Sequence, residues 1–373
     1  MHFFDVLDLK RTRVLTVCIA LALLASVPSA HSQGCVAARG AGSCVNPLAG
    51  SGEDAGNGFT GSVSYRWFKS DRHYVGENYQ AIRDQRGDQV INNSSFLDTA
   101  VTYDFNPRWS ASLTIPFVEH DRSSTVKDPT IPNPIDPRGT IIERYHTQSS
   151  GLADLRLMAN AWIFNPPTHA NSNLRLGLGL VIPTGDRNAQ DTFSVYDATA
   201  TGKIRAVKRA VDQSIQPGAG GWGIALDLYG YHKILPRLNA FVNGGYTFTP
   251  QEKYRPLLGT QDYSITDNYF GRGGFEYTVW PKQGLTFSLG GRIEGVPVND
   301  FSGGSEGFRR PGYAISIEPG VMVSHRSWSL SVYAPVAVDR NRQRSKLDRI
   351  NGSAGGDAAF SDYSILASIS KRF

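Results

Sequence analysis

The sequence predicts an all-β fold: a transmembrane antiparallel up-and-down β-barrel of about 12 strands, with long extracellular loops and short periplasmic turns. Three observations predict it. From Phe59 to Phe373 the chain falls into short segments in which apolar and polar side chains alternate with a period of two. The links between these segments alternate strictly between long and short. Aromatic residues collect at both ends of the segments, as they would at the two edges of an apolar band.

The chain opens with a targeting segment, residues 1–32. Lys10, Arg11 and Arg13 precede an apolar run from Val14 to Ala25, and Ala30-His31-Ser32 supplies the small residues of a signal-peptide cleavage site. The run is too short to span a bilayer as a helix. Beyond it only Cys35 and Cys44 remain, in an exported and oxidising context, and they are expected to form a local disulfide. A lipidated Cys35 is the competing reading, but Ser32-Gln33-Gly34 lacks the Leu that belongs three residues before such a cysteine. Residues 33–58 carry no periodicity and read as an irregular lead-in, either a small plug in the barrel mouth or an ordinary disordered terminus. Residues 59–373 carry the barrel.

Composition agrees with this division. No run of about 18 apolar residues follows the signal segment. The negative mean hydropathy suits a barrel, because only alternate strand residues face lipid and the loops are polar. A net charge of +5 dispersed over 373 residues is far from the concentrated basic stripe of a nucleic-acid binder, so no nucleic acid is expected as a partner.

The strands follow in order. The first carries Phe59, Val63, Tyr65 and Trp67 on one face. The second has Leu97, Val101, Tyr103 and Phe105 opposite Asp98, Thr102 and Asp104; Asn106-Pro107-Arg108 then turns the chain. Trp109 to Phe117, Leu155 to Ile163 and Leu174 to Ile182 repeat the alternation, with Arg156 and Arg175 on the polar side. In the second half, Trp222 to Leu228 sets Asp227, Tyr229 and Tyr231 inward. Leu238 to Phe248, Tyr269 to Val279 and Leu285 to Ile293 follow, the last two with Arg272, Glu276, Arg292 and Glu294 inward. Tyr313 to Val323 turns Glu318 inward, Trp328 to Ala334 is the eleventh strand, and Tyr363 to Phe373 closes the set. Glycines within strands, such as Gly177, Gly245 and Gly274, permit coiling and leave room inside.

Long polar links at 69–94, 119–149, 184–216, 250–267, 296–311 and 340–358 alternate with short ones. A soluble sandwich has no reason to put every long loop at one end. The expected periplasmic belt holds Phe59, Phe105, Trp109, Phe164, Trp280, Trp328 and Phe373. The outer belt holds Trp67, Phe117, Trp222, Phe248, Tyr269, Tyr313 and Phe360. In lipid each unpaired backbone group costs several kcal/mol, so the first strand must pair with the last.

Two stretches add resemblances. The terminal strand ending on Phe373 resembles the closing strand of bacterial outer-membrane barrels, which implies recognition by the barrel-assembly machinery and a bacterial outer-membrane location. Ser150-Gly151-Leu152-Ala153-Asp154-Leu155 and Ile182-Pro183-Thr184-Gly185-Asp186 resemble motifs of the outer-membrane β-barrel family labelled "MetA-pathway of phenol degradation". Ala153 stands where that family more often has Gly. The resemblance implies an outer-membrane channel that passes small, hydrophobic or aromatic solutes, with no enzymatic role in phenol breakdown.

The inward face carries Asp98, Asp104, Arg156, Arg175, Asp227, Arg272, Glu276, Arg292, Glu294 and Glu318 as lumen-lining candidates. They are either a charged path that orients a solute or a set of ion pairs that fills a narrow barrel. The short turn at 281–284 sets Arg272 beside Arg292 and Glu294. Tyr229, Tyr231, Phe241 and Tyr333 are either stacking faces for an aromatic solute or filler. The basic stretch from Arg340 to Lys346 is either a lipopolysaccharide contact or a solvated loop. The rival functions are a structural or adhesive barrel and an outer-membrane lipase or protease. His73, His120, His146, His169, His232 and His325 show no catalytic or metal-ligand spacing, so neither an enzyme, a metal nor a cofactor is expected.

Overall fold

The computed structural model describes residues 57–353 and 355–373. The signal segment, the lead-in up to residue 56, and the Cys35–Cys44 pairing lie outside the described residues. The described chain is a closed antiparallel barrel of 12 strands. Seven of these are β1 (Gly58–Ser70), β2 (Ile91–Asp104), β3 (Trp109–Asp128), β4 (Thr140–Leu152 and Leu155–Trp162), β5 (Ser172–Ile182), β6 (Gly223–Leu235) and β7 (Leu238–Phe248). The others are β8 (Asn268–Trp280), β9 (Leu285–Val296), β10 (Gly312–His325), β11 (Trp328–Tyr333 and Val336–Arg342) and β12 (Ser364–Arg372).

Each strand pairs with its sequence neighbour, and β1 pairs with β12 from Thr60↔Arg372 to Phe68↔Ser364. That last ladder removes both edges, which is what a sheet in lipid requires. Leu97, Leu113, Leu157, Leu178, Leu226, Phe275, Leu289, Ile317 and Ile369 face outward and exposed, so the greasy surface is outside and the polar one within. At the turn end, Phe59, Phe105, Trp109, Phe164, Trp280, Trp328 and Phe373 are exposed, and at the loop end so are Phe117 and Trp222. Asn106 shapes its turn by accepting from the Arg108 and Trp109 amides at 2.9 and 3.0 Å.

Three expectations need correction. The link 119–149 is mostly ladder: β3 and β4 stay paired from Glu119↔Ser150 to Asp128↔Thr140. Above the lipid one face of this hairpin packs under the folded loops through mostly polar residues, among them His120, Ser123, Asp128 and Thr147, so the apolar alternation fades while the backbone pairing continues. β11 likewise runs on past Ala334, interrupted only where Pro335 has no N–H to give. Phe360 is buried, not in a lipid belt: it packs on Ala314, Ala358 and Tyr74 within a small outer sheet of Arg72–Val75, Asn78–Tyr79 and Ala358–Phe360.

The loops are folded, not solvated coils. Gln190–Tyr196 and Ile204–Ala210 form a hairpin, and Ala81–Arg86 (α1) and Lys346–Ile350 (α2) are short helices. The basic stretch is paired internally: Arg340 bonds Asp362, and Arg342 lies 3.5 Å from Asp348. That leaves these two guanidiniums engaged rather than presented to phosphate. Lys203 holds Asp128 at 2.7 Å in the same way.

Candidate functional site: the lumen and its outer closure

One wall of the lumen is filled by charge. Arg272 on β8 reaches Glu318 on β10 at 2.8 Å, and Arg292 on β9 meets the same carboxylate at 3.3 Å and Glu294 at 2.8 Å. Arg66 on β1 approaches Glu294 from beyond β10, β11 and β12, at 4.0 Å. Arg272 and Arg292 are Cα partners, as the turn at 281–284 implies, and their guanidiniums converge on the Glu318 carboxylate. In a low-dielectric interior such charges persist only when paired. Aromatic faces add to the packing: the Arg272 guanidinium lies 4.3 Å from the Tyr333 ring centre and 5.1 Å from Phe241. Arg66 stands 4.4 Å over Phe96.

The remaining interior is open. A cavity of about 330 Å³ is lined by Asp98, Arg156, Arg175, Asp227, Tyr229, Phe241, Arg272, Glu276 and Tyr333, together with Arg66, Phe68, Phe96 and Phe270. Arg156 on β4 bonds Asp227 on β6 at 2.5 Å across β5. Glycine makes this crossing passable: a Cβ on Gly177 would lie 2.8 Å from the Asn160 amide oxygen and 3.1 Å from Asp227. Arg175 sits between aromatic rings, 5.8 Å from Trp162 and 5.9 Å from Tyr229. Tyr231 is nearer the turn end, donating to the His169 carbonyl at 3.2 Å. Asp104 pairs there with Arg372 at 2.6 Å. Asp104, Tyr231, Arg292, Glu294 and Glu318 therefore do not line the cavity: the first two lie toward the rim and the others form the filled wall.

The loop end is closed by residues 211–219, folded inward over the cavity. Gln213, Ser214, Gln216, Pro217 and Ala219 line it from above, and Val211, Ile215 and Gln216 are buried. Gln216 bonds the Val211 carbonyl and both backbone groups of Ala189; Gln213 bonds the Ser264 carbonyl at 2.7 Å. Asp212 takes two bonds from Arg310 at 2.8 Å each, and Arg122 lies 3.4 Å away. Burial alone would raise the Asp212 carboxyl, but these two guanidiniums outweigh it and hold it well below the usual carboxylate range.

The two motif segments meet at this closure. Asp154, in the break of β4, accepts from the Gly185 amide at 3.0 Å and from the Ala219 amide at 2.7 Å. Thr184 bonds both the Ala153 carbonyl and the Leu155 amide at 3.0 Å. A Cβ on Gly185 would stand 2.6 Å from the Gly218 Cα, so the close approach of the two backbones requires glycine. Sequence reading singled out these motifs without their joint purpose. It missed Arg66, Phe68 and Phe96, whose polar-face parity was the available signal, and the Arg122–Asp212–Arg310 cluster, which had none.

The histidines are engaged locally. His73 Nδ1 lies 3.0 Å from Asp357 and its Nε2 meets the Val90 backbone; His146 lies 2.8 Å from Asp121, and His120 is 2.9 Å from Ser94. Among the described residues no group of three or more His, Cys, Asp or Glu could hold a metal ion.

No family model matches the chain, and no curated protein does. Among solved structures, it is similar to an outer-membrane channel from Pseudomonas putida F1, at 13% identity and a TM-score of 0.53, over 86% of this chain and 99% of that one. A Pseudomonas aeruginosa FadL homologue is also similar, at 10% identity and a TM-score of 0.42, over 92% of this chain and 99% of that one. The Pseudomonas putida toluene transporter TodX matches at 10% identity and a TM-score of 0.43, over 87% of this chain and 92% of that one. The first likeness establishes the fold as that of outer-membrane barrels; the other two are too distant to add to it.

Proposed function

We propose that the protein is an outer-membrane channel through which small, hydrophobic or aromatic compounds diffuse passively, with no enzymatic step and no cofactor. The observation that carries this reading is the cavity of about 330 Å³ inside a lipid-facing barrel, bounded by aromatic rings and a few charged groups. The fold shared with the Pseudomonas putida F1 outer-membrane channel supports it, as does the meeting, at the mouth of the cavity, of the two segments that resemble phenol-degradation-family motifs. Outer-membrane lipids and lipopolysaccharide surround the barrel in this reading. Phe373 serves as the assembly signal: it is exposed at the turn end, its amide bonds the Phe59 carbonyl at 2.8 Å, and Lys371 lies 4.6 Å over its ring.

Uptake into liposomes holding the purified protein, compared across phenols, fatty acids and sugars, tests the function. Phenols entering faster than sugars of similar size is the expected result. Rates equal to protein-free liposomes for every solute would remove the reading.

A further inference from the structure

We propose that the outer wall of the barrel, at its turn end, carries a phosphate site for anionic phospholipid of the inner leaflet, built on Arg326 and Lys371 around Trp328. The site does not depend on what crosses the lumen. Charge is placed differently at the two ends of the barrel. At the loop end cations pair with carboxylates, as Lys127 does with Asp88 and Asp136, Arg83 with Asp357, and Arg340 with Asp362. At the turn end Arg108, Arg237, Lys282, Arg326 and Lys371 have no carboxylate partner among the described residues. Asp104, the one acidic side chain within or next to the described turns, is taken by Arg372. Against the five stand the carboxylate of Phe373 and a lead-in that holds Glu53 and Asp54 beside Arg39, so the turn end keeps a net positive charge.

Arg237 and Arg326 occupy left-handed backbone positions, with φ of 76° and 52°, where glycine or asparagine sits without strain. Gly284 does so between β8 and β9, with φ of 65°. Turn geometry therefore does not call for arginine at either place. Lys371 faces the lipid side beside Trp328, its Cα partner, and its ammonium lies 5.2 Å from the Trp328 ring centre and 4.6 Å from that of Phe373. These rings belong to the aromatic belt, so they hold the cation at headgroup depth without neutralising it. Arg326 is exposed in the turn two residues before Trp328. On the same two strands, one step toward the middle of the membrane, stand the exposed Leu330 and Ile369, again Cα partners. A phosphate against Arg326 and Lys371 thus lays its acyl chain over Leu330 and Ile369. A zwitterionic headgroup offers the same phosphate but brings its own cation, so an anionic headgroup is favoured.

The test places the full chain in phosphatidylcholine bilayers at about 0.15 M salt. Spin-labelled phosphatidylglycerol and phosphatidylcholine report which lipid is held at the protein surface. Phosphatidylglycerol should be favoured several-fold, and Arg326→Asn with Lys371→Gln should remove most of that preference. Arg326→Asn alone, which leaves the closing strand untouched and suits the left-handed turn, should already lower it. Arg205→Gln with Lys208→Gln, which takes two exposed cations from the loop-end hairpin, should leave it intact. Heat-modifiable gel mobility checks that each variant is folded. No preference in the unaltered chain, a preference that survives loss of Arg326 and Lys371, or equal loss in the two double variants would overturn the proposal.

Discussion

Asp154 ties together the two ends of one connection, the Gly185 amide just after β5 and the Ala219 amide just before β6. A carboxylate accepting such bonds contributes more than a neutral group, and losing it leaves two amides without their acceptor. Asp154→Ala is therefore expected to lower stability by about 1–3 kcal/mol and to loosen residues 211–219, read as raised single-channel conductance in planar bilayers. Unchanged conductance would show that Asp154 does not secure the closure. Gly245 gives a second test at this scale. A Cβ there would lie 2.5 Å from the Phe270 ring and 2.8 Å from Asp227, so Gly245→Val should cost about 1–3 kcal/mol by overpacking. Thermal unfolding in detergent measures it.

Residues 211–219 act as one element whose hold depends on the Asp212 cluster. Because the Asp212 carboxyl is depressed in the folded chain, its stabilisation is fully present above the ordinary unfolded value of about 3.9. It is lost as pH falls through the folded value, which lies well below. Proteolysis of this segment is expected to stay flat from about pH 8 to about pH 5. Asp212→Asn should make it susceptible across the whole range. A rise in cleavage of the unaltered chain near neutral pH would count against the ion pairs as the fastening.

The outer sheet follows the same rule at its own site. Burial tends to raise the Asp357 carboxyl, but the hydrogen bond from His73 and the charge of Arg83 carry it down to about 2. Its contribution is therefore kept above about pH 4 and lost only as pH approaches about 2. Hydrogen exchange at Arg72–Val75 against pH reports it.

At the scale of the molecule, closure by β1 and β12 is the decisive contact. A proline at Ala367, which faces Tyr65 across that ladder, removes a backbone donor where lipid offers no substitute. Ala367→Pro should abolish the compact, heat-modifiable form on gels, whereas a proline in the outer part of the β3–β4 hairpin, such as Thr125→Pro, should leave the barrel assembled. Equal effects of the two would mean that closure is not what lipid demands here.

The strands, their inward parity and the arrangement of long and short links were legible in the sequence because lipid on one side and lumen on the other impose alternation residue by residue. The same physics explains where reading failed. Beyond the membrane the covered face of β3 and β4 is mostly polar and packs against other loops, so their continued pairing left no trace, and Phe360 looked like a belt residue although it is a core residue of a small outer sheet. Asp154, Thr184 and Gly185 stood out as motifs, but Arg122 comes from the outer part of β3 and Asp212 and Arg310 from two separate connections, with no shared period. The sequence alone determined that a lipid-facing barrel forms and which side chains point inward, since those follow from local spacing. Only the tertiary structure decided which inward charges neutralise one another, which remain facing the cavity, and what closes it. Those outcomes depend on distances across the lumen, between residues that no local pattern links.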